Sequence, residues 1–250
     1  MPISKSNDPR QPRVGGLPSR MGNKFLDILP ESDRNVLLPH VRELPLLLRM
    51  PLFGEGDTCE HIFFPVTGMV SVVVDMMDGR TAETGIIGHD GAVGLISGLY
   101  DLPTAGRAVV QLPGSALVIP AGRFRSAAAD SVAMRRLIGQ FEHLFITELM
   151  QTVACNALHN VDERICTWLL RSHDMCRGGT INLTQEFLAQ MLGVRRTTVT
   201  ISARLLQHAG VIRYSRGHVN IVDRQALERQ ACECYHAMHE RKRALCGMAL

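Results

Sequence analysis

The chain has 250 residues, of which 46% are hydrophobic and 20% charged, with a net charge of +3. That suffices for a substantial core in one or two domains and excludes a disordered polyelectrolyte. No apolar run approaches bilayer length, and the most tempting stretch, Leu44 to Leu48, is far too short and contains Pro45, so no membrane partner is expected.

Residues 1–24 are basic and rich in Pro and Gly, with no apolar core of a secretory signal. They read as a disordered leader, and a cytoplasmic location is the expectation. Beyond them the composition splits. All twelve prolines lie at or before Pro120, with fourteen of the twenty-two glycines. Proline breaks helix interiors and marks turns, so the first half should be turn-rich and the second largely helical. Residues 51–120 carry eight acids and two bases, whereas 184–218 carry five bases and one acid. Positive charge gathered on a small module is the footprint of a polyanion partner.

Within "HIFFPVTGMVSVVVDMMDGRTAETGIIGHDGAVGL" the β-branched run Val70, Val72, Val73, Val74 predicts a strand, and Asp78-Gly79 a hairpin turn. Gly85, Gly88, Gly91, Gly94 and Gly98 read as close turns. "RAVVQLPGSALVIP" adds two short strands around Pro113-Gly114. Many short strands with regular turns predict a small barrel or jelly roll.

After Pro120 the hydrophobic period changes. Met134, Leu137, Ile138, Phe141, Leu144, Phe145 and Leu149 recur at steps of three and four. They predict a long amphipathic helix within 129–158, its seam either packed on the chain's own barrel or, as its two large aromatics favour, the interface of a homodimer. A second helix follows in "NVDERICTWLLRSHD".

Thr184 is placed to cap a helix starting at Gln185, and Gly193 to end it. A second helix then begins, with Val199, Ala203 and Leu206 inward and Arg195, Arg196, Thr197, Thr198, Thr200 and Arg204 on or near the polar side. "VIRYSRGHVNIV" reads as a two-stranded wing carrying Arg213, Arg216 and His218. Helix, glycine turn and polar-faced helix are the helix-turn-helix plan, whose second helix enters the major groove. Arginine donates a fork of hydrogen bonds to guanine, while wing cations suit phosphates. Double-stranded DNA is therefore the expected partner, with RNA polymerase a further candidate; the rival reading is a small-molecule or redox sensor without strong DNA specificity. Two cations at the positive end of a helix dipole make sense when an anion faces them.

The seven cysteines are scattered and read as free thiols. Cys232-Glu233-Cys234, with His236 and His239 nearby, matches no established zinc spacing, so no metal site is assigned. The absence of G-x-S-x-G, P-loop and H-E-x-x-H patterns leaves no catalytic residues and predicts a non-enzyme.

In "FGEGDTCEHIFFPVTGMVSVVV" and "LTQEFLAQMLGVRRTTVT", in this order, the chain resembles the bacterial Crp/Fnr transcriptional regulators from about Phe25 to Val222. The resemblance implies an α+β chain: a cyclic-nucleotide-binding-like sensor roll over 25–128, a dimerisation helix over 129–158 and a winged helix-turn-helix over 159–224. A helical extension over 225–250 follows. It places the effector pocket at Gly94, Leu95, Arg107 and Ala108. Cyclic-AMP-binding relatives use an acid for the ribose and an Arg-Ser pair for the phosphate. Here Gly94-Leu95 lacks the acid and Arg107 is displaced, so the effector is not expected to be cyclic AMP and no cofactor is assigned. Relatives that read TGTGA half-sites carry Arg-Glu and a second Arg four residues on. Arg196 matches the first, but Thr197 and Ile201 replace the others, so a different half-site is expected.

Overall fold

A computed structural model describes residues 21–176 and 178–246. Most of the expected leader lies outside these residues, but from Met21 onward the chain is packed, and the buried Asn23 caps the first helix. Helices α1 (Lys24–Ile28) and α2 (Glu31–Leu37) precede strands β1 (Arg42–Leu46), β2 (Pro51–Phe53), β3 (His61–Asp75) and β4 (Thr81–Ile87). Helix α3 (Leu95–Tyr100) and strand β5 (Arg107–Pro120) complete the roll. The antiparallel order is β1-β5-β3-β4, with β2 also paired to β5.

Two readings change here. Pro113-Gly114 does not divide two strands, because β5 runs through it. The register with β3 shifts opposite, between Pro65 and Val70, and the long strands absorb the irregularity as bulges. Gly85, Gly94 and Gly98 are not turns either, since Gly85 lies inside β4, Gly94 starts α3 and Gly98 lies inside α3. The hairpin at Asp78-Gly79 is as expected, with the Met76 N–H donating to the Arg80 carbonyl at 2.7 Å.

Helix α4 (Ala121–Asp130) ends where Ser131 accepts from the Met134 N–H and starts α5 (Val132–Leu158). At 1.5 Å per residue α5 is roughly 40 Å long. Its face of Met134, Leu137, Ile138 and Phe141 is buried against α1, α4 and the sheet of its own chain. Phe141 meets Phe25 edge-on at 4.8 Å between ring centroids, and Phe25 touches Phe64 and Phe124. The expected dimer seam is thus corrected. Met134, Leu137, Ile138, Phe141 and Leu144 are covered within the chain, and Phe145 and Leu149 line a cavity between α5 and the sheet. The opposite face of α5 is the open one.

Asn160 accepts from the Glu163 N–H and starts α6 (Val161–Met175). The short strand β6 (Ile181–Asn182), helices α7 (Gln185–Leu192) and α8 (Arg196–His208) and hairpin β7 (Ile212–Ser215)–β8 (His218–Ile221) form the second module. Its sheet order is β6-β8-β7. Helices α9 (Arg224–Gln230) and α10 (Cys234–Cys246) follow, so the helical extension begins at Arg224 and packs α10 on α5 and α6. Its residues 247–250 lie outside the described ones. Among the described residues no helix is long and apolar enough to cross a membrane.

The two modules share one core. Met69, Ile86 and Leu112 of the sheet pack with Ile165, Trp168 and Leu169 of α6, and Met191 of α7 packs on Val73 and Val109. The close approach depends on Gly88, where a Cβ would lie 2.1 Å from the Met175 sulfur.

Phe25 joins three aromatic rings and is fully buried. Phe25→Ala should therefore cost about 3–5 kcal/mol in urea unfolding. A cost below about 1 kcal/mol would show that α5 is not anchored by this cluster.

Candidate nucleic-acid interface and ligand cavity

Thr184 accepts from the Phe187 N–H at 3.2 Å and starts α7, and Gly193 ends it with a left-handed φ of 65°. Arg195 is the N-cap of α8, but no side chain caps this helix and its first turn carries no acid. The N–H groups there add to the positive potential of Arg195 and Arg196. Val199, Ser202, Ala203 and Leu206 are buried, leaving Arg196, Thr197, Ile201, Arg204, Leu205 and His208 exposed. Thr198 and Thr200 are half-buried.

Several residues expected at DNA are engaged inside the module. Thr200 donates to Gln185 Oε1 at 2.6 Å, and the Thr184 hydroxyl is occupied by its capping bond. His218 Nδ1 lies 2.7 Å from Asn182 Oδ1, which ties the wing to β6. Arg196 lies 3.7 Å from Glu186, an exposed contact that holds the guanidinium loosely. Arg213 is exposed on β7, and Arg216 stands at the tip of the hairpin. The tip is a two-residue turn in which both Arg216 (φ 48°) and Gly217 (φ 80°) are left-handed. Asparagine or glycine is the favoured first residue of such a turn, so arginine stands there against local preference.

A cavity of about 280 Å³ lies between the sheet and α5. Its walls are Val72, Val74 and Ile86 from the sheet, Leu95 from α3, and Phe141, Leu144, Phe145 and Leu149 from α5. Gly94 and Leu95 line it, whereas Arg107 and Ala108 do not. Arg107 is instead forked onto Asp75 at 2.8 and 2.9 Å. These hydrogen bonds hold the Asp75 carboxyl down to about 2. Ala108 is buried within the sheet core.

One polar group in the cavity wall comes from the C-terminal helix. Lys242 of α10 lies 2.6 Å from Asp90 and 2.9 Å from Glu148. Burial works against the Asp90 carboxylate, yet the Lys242 ammonium holds it below the usual range. Burial likewise opposes charge on Lys242, and Asp90 and Glu148 outweigh it. No periodic pattern in the sequence marks this lysine, because its partners lie on a distant loop and helix.

Strand β4 connects cavity and DNA module. Thr84 and Ile86 face the cavity. Glu83 accepts from Trp168 Nε1 of α6 at 2.9 Å and from Ser71 Oγ at 2.5 Å. Burial pushes the Glu83 carboxyl up to about 7, against the Ser71 and Trp168 hydrogen bonds and the nearby Arg171.

Comparison with known proteins fits this geometry. Residues 50–131 match the cyclic nucleotide-binding domain, and residues 163–230 match the Crp-like helix-turn-helix domain. A protein of Eubacterium rectale assigned to the crp/fnr family of transcriptional regulators superposes with a TM-score of 0.66 at 16% identity. The match covers 84% of this chain and 99% of that one. FixK2 from Bradyrhizobium japonicum gives 0.61 at 19% identity, covering 77% of this chain and 98% of its own. CLP, a c-di-GMP responsive global regulator of Xanthomonas campestris, gives 0.62 at 17%, covering 77% and 99%. At such identities the likeness is one of fold. No curated protein matches the chain.

A cyclic nucleotide-binding-type roll followed by a Crp-like helix-turn-helix defines a transcription regulator, and such proteins are not enzymes. The chain belongs to the Crp/Fnr family. Regulators with this helix-turn-helix bind DNA and typically act as dimers.

Glu83 generates a pH dependence. Unfolded, it titrates near its ordinary 4.5, and folded near about 7. The folded chain therefore holds the extra proton between these values. Its stability contribution is complete below the lower one and is lost as pH rises through the upper one. Glu83→Gln keeps an acceptor for Trp168 and cannot ionise. At about pH 8 the variant's Tm should exceed the parent's, and the two should converge toward about pH 5. Equal Tm values at the higher pH would reject a carboxyl buried in this way.

Proposed function

We propose that the chain works in the cytoplasm as a homodimeric, sequence-specific regulator whose effector is not cyclic AMP. The observation that carries the DNA reading is the set of exposed arginines on one small module. Arg195 and Arg196 flank an uncapped helix start, Arg204 is one face further along, and Arg213 and Arg216 are on the wing. Arg196 and Thr197 are positioned for base edges, and Ile201 offers an apolar surface to a thymine methyl. Arg213 and Arg216 meet the backbone. Thr184, Gln185, Thr198, Thr200 and His218 support the two helices and the wing from within, with at most secondary contact to DNA.

Dimerisation uses the open face of α5. Val132, Arg136, Gly139, His143, Ile146, Met150, Val153 and Ala157 are all exposed and recur at alternating steps of four and three. This is the seam of a two-helix coiled coil. Its apolar members are strongly exposed in the single chain, Met150 at 68% and Val153 at 70%. Pairing there sets two recognition helices about one DNA turn, roughly 34 Å, apart on a pseudo-palindromic site.

The cavity favours an apolar ligand. Its walls are mostly aliphatic and aromatic, with Thr84, Ser97, Thr104 and Glu142 among them, its one ammonium is spent on Asp90 and Glu148, and Arg107 is turned to Asp75. An occupant that shifts β4 against α5 alters the Glu83–Trp168 contact and so biases how the DNA module is held.

Selection from random duplexes should enrich a palindrome other than TGTGA. Arg196→Ala should lose discrimination on the selected site, while Arg216→Ala should weaken all sequences alike and reduce the salt slope by about 1. Equal small effects of both would count against this placement. Val153→Glu leaves the core untouched and should sediment as a monomer, binding a two-half-site duplex no better than a half-site. A variant that stays dimeric would move the interface elsewhere.

A further inference from the structure

Four potential metal ligands converge where the end of α5 meets the start of α10. Cys155 and His159 lie one turn apart at the end of the long helix, and Cys232 and Cys234 flank Glu233 at the other side. The three sulfurs and the imidazole nitrogen all lie within 4.8 Å of one another. Cys155 Sγ is 3.5 Å from Cys232 Sγ, and Cys234 Sγ is 3.5 Å from His159 Nδ1. Zinc held at about 2.3 Å from sulfur and 2.0 Å from nitrogen sets neighbouring tetrahedral ligands roughly 3.5–3.8 Å apart. The observed spacing therefore needs only a small adjustment.

Ordinary packing accounts for three small apolar side chains in a core, but not for an imidazole turned inward on the sulfurs. Its other nitrogen, Nε2, lies 4.0 Å from the Glu233 carboxylate. That distance is too long for a hydrogen bond and the Glu233 side chain is exposed, so the carboxylate does not fix the ring. The sulfurs do have polar supporters. Gln151 Nε2 donates to Cys234 Sγ at 3.0 Å, and the Thr167 hydroxyl lies 3.0 Å from Cys232 Sγ. The cysteines are buried and the histidine is partly open, which leaves a path for an ion. His236 and His239, the histidines nearest in sequence, do not take part, and His239 pairs with Asp174.

We infer that Cys155, His159, Cys232 and Cys234 form a tetrahedral structural zinc site that staples the C-terminal extension to the end of the dimerisation helix. Three thiolates and one imidazole select a soft or borderline ion over magnesium or calcium. The tight convergence suits one ion, since an iron–sulfur cluster spreads its thiolates around several metal atoms. The site adjoins the His159–Asn160 joint between α5 and α6, and it anchors the helix that carries Lys242 into the cavity wall. Zinc binding thus holds the extension closed over the ligand cavity. The inference stands apart from the DNA reading.

Full-length reduced protein should carry one zinc per chain by elemental analysis. Chelation should lower its Tm. Cobalt(II) added to the chelated protein should saturate at one equivalent with the intense ligand-field bands of a tetrahedral thiolate complex. Cys232→Ser and Cys234→Ser should each weaken zinc binding at least about 100-fold. His159→Cys preserves a four-ligand set and should retain one equivalent, so the idea stays testable should a serine variant fail to fold. Lack of stoichiometric zinc or cobalt binding by the reduced chain would overturn it. So would a cobalt spectrum indifferent to loss of Cys155 and Cys234, or a Cys155–Cys232 disulfide as the resting state of protein purified under reducing conditions.

Discussion

Much of this molecule follows from how one helix is rotated on one sheet. Helix α5 lays Met134, Leu137, Ile138 and Phe141 into the aromatic cluster built by Phe25, Phe64 and Phe124. A helix so anchored has no rotational freedom left. Its next turns must bring Phe145 and Leu149 over the sheet as a cavity wall, and its far side must present Ile146, Met150 and Val153 to the outside. Its end then delivers Cys155 and His159 to the start of α10, and sets the joint from which α6 departs.

The second constraint is the docking of the helix-turn-helix on the roll. The shared core runs from Met69 and Leu112 through Trp168 to Leu206 and Val219, and it contains a polar point at Glu83. A carboxyl held between Ser71 and Trp168 at a protein interior is costly to ionise, so this contact depends on pH while the apolar packing around it does not. Beside the cavity, Lys242 with Asp90 and Glu148 forms the complementary arrangement, a buried set in which the charges satisfy one another. A ligand entering between β4 and α5 therefore works next to the most polar parts of an otherwise apolar interface.

Much of the winged module was legible in advance because its signals are local. Thr184 as a cap, Gly193 as a stop, the buried row Val199, Ala203, Leu206 and the Arg216-Gly217 turn all act within a few residues. The roll was legible in outline, with its hairpin at Asp78-Gly79. Its long strands were not, since Pro113-Gly114 looks like a turn until two neighbouring strands are seen to bulge together. The effector residues fared unevenly. Gly94 and Leu95 reach the cavity, while Arg107 is captured by Asp75, a partner thirty-two positions away.

Hydrophobic periodicity could identify α5 as a helix but not choose its buried side, because both faces carry apolar residues at helical spacing. That choice needed Phe25 and the sheet, which exist as a surface only once the chain has folded. The same holds for the cysteine cluster. Cys232 and Cys234 fit no ligand spacing along the chain, and they become a four-ligand set only when Cys155 and His159 arrive from more than seventy residues earlier. Capping, turn and propensity effects decay within a helical turn and are written in consecutive residues. Facing surfaces, buried ion pairs and converging ligands join distant segments, and only the packed chain brings those together.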